Sequence, residues 1–180
     1  MFGTDSIGWK KIEIVARLSV PQILLIFLLL LSYISLPLPL PYVGMVRPYL
    51  VLMGIYYWSV YRPTLVPPVL CFGLGIIMDI LSGGFLGLNA LVLVAVQWIV
   101  RGQRRFLMGQ PYTTSWAVFA LILIASALAQ WGLYGLAHLQ WPPLLPVAGS
   151  VILSFFLFPF VTLLFVMTHR ILPVASRMLG

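Results

Sequence analysis

The chain has 180 residues, of which 62% are apolar (AVILMFWYC) and only 7% are charged. Soluble domains carry about 25% charged residues, and three acidic with ten basic side chains cannot coat a chain of this size in water. The composition excludes a soluble enzyme and makes lipid the solvent for most of the surface.

One polytopic domain, residues 1–180, is expected, since there is no polar tract, linker or fixed-period repeat. Residues 5–17 read as a short amphipathic helix on the inner leaflet. Trp9, Ile12 and Ala16 share one face, and Lys10, Glu13 and Arg17 share another. The alternative is a frayed tail. The apolar run that follows is too long for a cleavable signal peptide.

Six apolar segments then follow, at about 18–40, 48–61, 63–81, 85–100, 115–136 and 146–167. Each reads as a transmembrane helix, which makes the fold an all-α integral membrane protein with six spans. The second segment is short, and whether it crosses fully is open. Pro37, Pro39 and Pro41 end the first helix in an extended exit. Pro48 and Pro63 suit first helical turns. Pro67, Pro68 and Pro159 fall inside spans, where they kink a helix and free carbonyls that neighbouring helices must satisfy.

Charge sets the orientation. With both termini in the cytoplasm, the inner side carries Lys10, Lys11, Arg17, Arg62, Arg101, Arg104, Arg105, Arg170 and Arg177. The outer side carries only Arg47. The net charge of +7 therefore reads as anchoring against acidic membrane lipid, not as a nucleic-acid surface, because the basic residues form no aromatic-interleaved patch. Trp58, Trp98, Trp116, Trp131 and Trp141 lie near span ends or one to two turns in, and most read as interfacial belt residues, with a ligand box as the alternative.

No HExxH, Cys/His metal spacing, GxSxG or P-loop is present. His138 and His169 fall at opposite ends of spans, and the lone Cys71 sits among apolar residues. No catalytic group, metal or cofactor is expected. Asp79 is the acidic residue inside a span, where a carboxylate is expensive and is usually paired or functional. Arg47 and Asp79 lie on either side of the hairpin at Arg62 and reach similar depth, so an ion pair is geometrically allowed. A hydrated interfacial carboxylate is the alternative. Gly83 and Gly87 are spaced as GxxxG, which brings helix backbones together, more often within one chain than in a dimer. Gly83 and Gly84 also suit the turn, and Gly87 opens the fourth span beside Asn89.

From Arg47 to Leu91 the chain resembles the rod shape-determining protein MreD family. Arg47-Pro48, the Tyr57-Trp58 pair, Pro63, Gly75, Asp79, Leu81, Gly83, Leu86-Gly87 and Ala90-Leu91 carry the likeness. It marks Arg47, Pro48, Trp58, Gly75, Asp79, Gly83 and Gly87 as structural or interaction residues, and Asn89 joins them from its place beside Gly87 at the start of the fourth span. The resemblance implies a multi-pass protein of the bacterial inner membrane, similar in fold to the substrate-binding subunit of energy-coupling-factor transporters. It also implies a non-enzymatic scaffold that keeps cells rod-shaped with MreC, MreB filaments, RodA and a class B penicillin-binding protein. The rival reading is a small-molecule or lipid-intermediate binding or transport subunit. Mid-span polar residues (Ser126, Gln130, Ser154, Thr162) are sparse, which favours the scaffold.

Overall fold

Long apolar runs with few charges leave the backbone no partner but itself in lipid, so they close as helices. The computed structural model describes residues 38–40, 44–83, 85–139 and 141–171, together with Ile26 and Leu28. The amphipathic helix expected over 5–17 and most of the first expected span lie outside the described residues. Ile26 and Leu28 are helical, and Leu28 is buried in the core.

A short antiparallel ribbon joins β1 (Leu38–Leu40) to β2 (Gly44–Val46), with Pro39 opposite Met45. The first segment thus does not stay helical to residue 40. Pro37 and Pro39 lack the N–H that a helix needs, and the chain leaves in extended form. Five helices follow: α1 (Leu50–Tyr61), α2 (Pro68–Ser82), α3 (Leu88–Met108), α4 (Tyr112–His138) and α5 (Leu144–Ile171). Two stretches, Tyr112–Ala137 and Leu144–Met167, are by themselves long and apolar enough to cross a membrane, while α1 and α2 are shorter apolar helices.

The bounds differ from the expected segments for physical reasons. The third segment becomes helical only at Pro68, which occupies the first turn with Pro67 as its cap. Pro67 and Pro68 therefore start a helix where a kink was expected, and Pro63 lies in the connection before it. Helix α3 runs on through Arg101, Arg104 and Arg105. An apolar segment ends where charge begins, but arginine is a good helix former and the helix continues.

Helix α1 is the centre of the fold. Every residue from Leu50 to Val60 is buried, and the helix packs on α3, α4 and α5. Its 12 residues span only about 18 Å. Protein, not lipid, surrounds it, so its non-helical ends can be satisfied by neighbours. At its start, the N–H groups of Arg47 and Tyr49 donate to Ser150 Oγ (3.1 Å) and Ser154 Oγ (2.8 Å) of α5. These hydroxyls donate in turn to carbonyls one turn back, Pro146 and Ser150. At its end, Arg104 Nε donates to the Val60 carbonyl (2.8 Å), and in the connection to α2 Gln97 Nε2 donates to the Val66 carbonyl (3.1 Å). Midway, the Tyr56 hydroxyl donates to the Ser115 carbonyl of α4 (2.8 Å).

Trp58 is 0% exposed and stands edge-on to Phe165 of α5. It is a core residue, which corrects the belt reading. Trp98 and Trp141 are well exposed and could sit in such a belt. Trp131 donates to the Pro142 carbonyl and lies against Trp141, tying α4 to α5 at their connection.

Pro159 lies inside α5 and leaves the Phe155 carbonyl without its helical donor. Trp116 Nε1 of α4 donates to that oxygen (3.3 Å), and its ring stacks on Phe155 at 4.8 Å. Trp116→Phe keeps the stacking and strands the carbonyl, at an expected cost of about 1–2 kcal/mol. In a Pro159→Ala background the helix supplies its own donor, and the same change should cost less. A double-mutant cycle on thermal unfolding in detergent measures the coupling. Equal costs in both backgrounds would break the link between Trp116 and the proline.

Candidate functional site

The polar chemistry gathers where α2 ends and α3 begins. Gly83 closes α2 in the left-handed conformation (φ 63°), and Gly87 precedes α3 with φ 97°. Side chains resist such angles, so glycine is favoured at both. Gly87 has no side chain to cap the helix it opens. Asp79 fills that role from the preceding helix. Its Oδ2 accepts from the Gly87 N–H (2.8 Å), and its Oδ1 accepts from the Asn89 N–H (3.1 Å) and from Asn89 Nδ2 (2.8 Å). A carboxylate at a helix N-terminus satisfies orphan donors and also opposes the positive end of the helix dipole. Asp79 is 1% exposed, so these bonds replace the water it lost.

The network extends one residue further. Gln130 Nε2 of α4 donates to Asn89 Oδ1 (2.9 Å). Gln130 lies about as far beyond the α3–α4 turn as Asn89 lies before it, as antiparallel neighbours require. One buried carboxylate thus fixes an amide on α3, which fixes an amide on α4.

Below this turn, Gly75 lets α2 touch α3. A Cβ on Gly75 would lie 2.2 Å from Ala90 Cα and 2.4 Å from Ala90 N. The close backbone approach belongs to Gly75. Gly83 and Gly87, spaced as GxxxG, instead serve the turn, since a Cβ on either meets nothing within 4 Å.

The expected ion pair between Arg47 and Asp79 is not what holds the carboxylate: among the described residues its donors are Gly87 and Asn89. Neutral N–H groups at a helix start stand in for the cation. Arg47 nevertheless lies at the same end of the bundle. Arg47, Pro48, Met78, Ser82, Asn89, Gln130 and Ser150 line part of one cavity of about 290 Å³, floored by Leu50, Leu52 and Leu93. The structure therefore brings Arg47, Pro48, Gly75, Asp79, Gly83, Gly87 and Asn89 to one end of the fold. Trp58 stands apart, within the core.

Sequence reasoning passed over Gln97 and Ser150. Gln97 is fully buried mid-helix and bonds the chain ahead of α2. The signal was there, since an amide inside an apolar span is itself costly. Ser150 gave none, because a serine that bonds its own helix looks inert in a sequence. Among the described residues no group of three His, Cys, Asp or Glu side chains could hold a metal ion.

Apolar helices fastened end to side by buried polar groups define a helical membrane protein. The family model for the rod shape-determining protein MreD matches residues 13–168, nearly the whole chain, and the protein belongs to that family of membrane proteins. Membership gives it a role in rod shape determination. No curated protein and no solved structure matches the chain.

Proposed function

We propose that the chain is a non-enzymatic scaffold in the bacterial inner membrane that helps MreC, MreB, RodA and a class B penicillin-binding protein build the side wall. The family match over residues 13–168 carries this reading. The use of polar residues adds support. Asp79, Asn89, Gln97, Arg104, Ser150 and Ser154 each bond backbone or a neighbouring amide, as a rigid platform for partners requires. In this reading the chain crosses six times, with both termini in the cytoplasm. The Asp79 end faces outward and the Arg101–Arg105 end faces inward. MreC is the expected direct partner.

The test is purification of the full chain in mild detergent from a rod-shaped bacterium, with identification of what accompanies it. The scaffold predicts a single-pass protein with a periplasmic domain. Purification with a transport ATPase, and no such partner, would overturn it.

A second reading, a ligand-binding subunit with a fold similar to that of energy-coupling-factor substrate-binding proteins, is favoured by one observation: the partly polar cavity bordered by Arg47, Asn89 and Gln130.

A further inference from the structure

We propose that the cavity at the Asp79 end binds the anionic group of a small phosphate- or carboxylate-bearing molecule, free or as a lipid headgroup. The proposal deepens the ligand-binding reading above, and the scaffold reading stands or falls separately, on its partner.

Three features of the lining carry it. The first is charge. Among the described residues that line the cavity Arg47 is the one that is charged, and it is exposed. A guanidinium is the side chain best shaped for the planar, paired oxygens of carboxylates and phosphates. Asp79 does not line the cavity, and its oxygens are taken up by Gly87 and Asn89.

The second feature is order. Asn89 and Gln130 both line the cavity and are already fixed, Asn89 by Asp79 and Gln130 by Asn89. Side chains held before a ligand arrives lose little rotamer freedom when it binds. Asp79 is in this sense a positioning residue that acts through the amides.

The third feature is the mixture of surfaces. The hydroxyl protons of Ser82 and Ser150 are spent on the Asp79 and Pro146 carbonyls, but the Asn89 and Gln130 amides each carry a second N–H beyond the bond they already make, beside an apolar wall of Leu50, Leu52 and Leu93. A few convergent polar groups on an apolar wall are the usual make-up of a small-molecule site, and about 290 Å³ falls at the small end of such sites. A compact polar headgroup fits that volume, whereas long acyl chains must lie outside it.

The experiment uses the purified full chain in a neutral detergent. Binding of dihexanoyl phosphatidic acid is measured by calorimetry, with inorganic phosphate as the free anion and dihexanoylglycerol, which lacks the phosphate, as the uncharged comparison. The acid should bind, and Arg47→Gln should weaken it by about tenfold or more, the loss of one charge-assisted hydrogen bond. Arg47→Lys keeps the charge and should recover part of the affinity. Gln130→Leu tests the site without touching Arg47, and should also weaken binding. Trp98→Ala, at the other end of α3, should leave it unchanged. Phosphate binding as tightly as the lipid assigns the site to a free anion. Lipid binding at least about tenfold tighter assigns it to a headgroup. Equal binding by wild type and Arg47→Gln, or dihexanoylglycerol binding as well as the acid, overturns the proposal. Loss of the protein partner in Arg47→Gln, with no anion binding in the wild type, overturns it as well, and leaves the scaffold standing.

Discussion

Asp79→Ala is expected to cause the largest loss of stability of any single polar substitution in the described part of the chain. The change deletes both carboxylate oxygens and strands the Gly87 N–H, the Asn89 N–H and the Asn89 amide in a place that is 1% exposed. Each stranded buried donor costs about 1–3 kcal/mol. The three share one site and do not simply add, so a total of roughly 3–5 kcal/mol is expected, as for a broken buried charge contact. Against a typical stability of about 5–15 kcal/mol this is a large fraction. The network also predicts a ranking. Asn89→Ala removes one donor to Asp79 and the acceptor of Gln130, and should cost less. Gln130→Ala removes only the last link and should cost least. Thermal unfolding in detergent, followed by tryptophan fluorescence, reads the order. A mild Asp79→Ala beside a severe Gln130→Ala would mean that the carboxylate is not the root of the network.

Gly75→Ala is the second large effect. The added Cβ would fall 2.2 Å from a backbone atom of α3, well inside contact distance, so the two helices must separate. Overpacking usually costs about 1–3 kcal/mol, and here the obstacle is main chain, which yields less than a side-chain tip. Ala90→Gly should therefore not rescue it, because the nearest atoms, Ala90 Cα and N, remain in place. Gly73 supplies the contrast. It is two residues away on the same helix, and a Cβ there meets nothing within 4 Å. Gly73→Ala should be neutral, or stabilising by up to about 1 kcal/mol from helix propensity. Similar behaviour at the two glycines would remove the close crossing from the account.

These residues show what a sequence can and cannot disclose. Asp79 stood out because a carboxylate among apolar residues is too costly to be idle. Its partner was read wrongly, because charge is visible in a sequence and a row of N–H groups at a helix start is not. The α2–α3 turn was legible through its glycines, and Gly83 and Gly87 do take left-handed angles there. Gly75 was legible as one of several small residues, with Gly73, Gly83 and Gly87, but not as the one that permits the helix crossing, because a close approach depends on which residue lies opposite. Helix α1 was the hardest to judge. Hydropathy counts apolar side chains and does not say whether lipid or protein surrounds them. Trp58 therefore read as an interfacial residue although it is fully buried, and the short helix looked doubtful although its ends are held by Ser150, Ser154 and Arg104. The carbonyl freed by Pro159 was legible, since a missing N–H has a necessary consequence, but the donor that answers it was not, because Trp116 read as a belt residue.

The central claim is that this chain maintains rod shape as a scaffold. The most direct measurement is complementation in a rod-shaped bacterium depleted of its own MreD family protein, with cell shape scored by microscopy and membrane levels by immunoblot. The account predicts that the wild-type chain restores rods. It also predicts that a fully folded variant which has lost its partner, as judged by co-purification, leaves the cells round. Round cells despite normal membrane levels of a wild-type chain that binds its partner would contradict it.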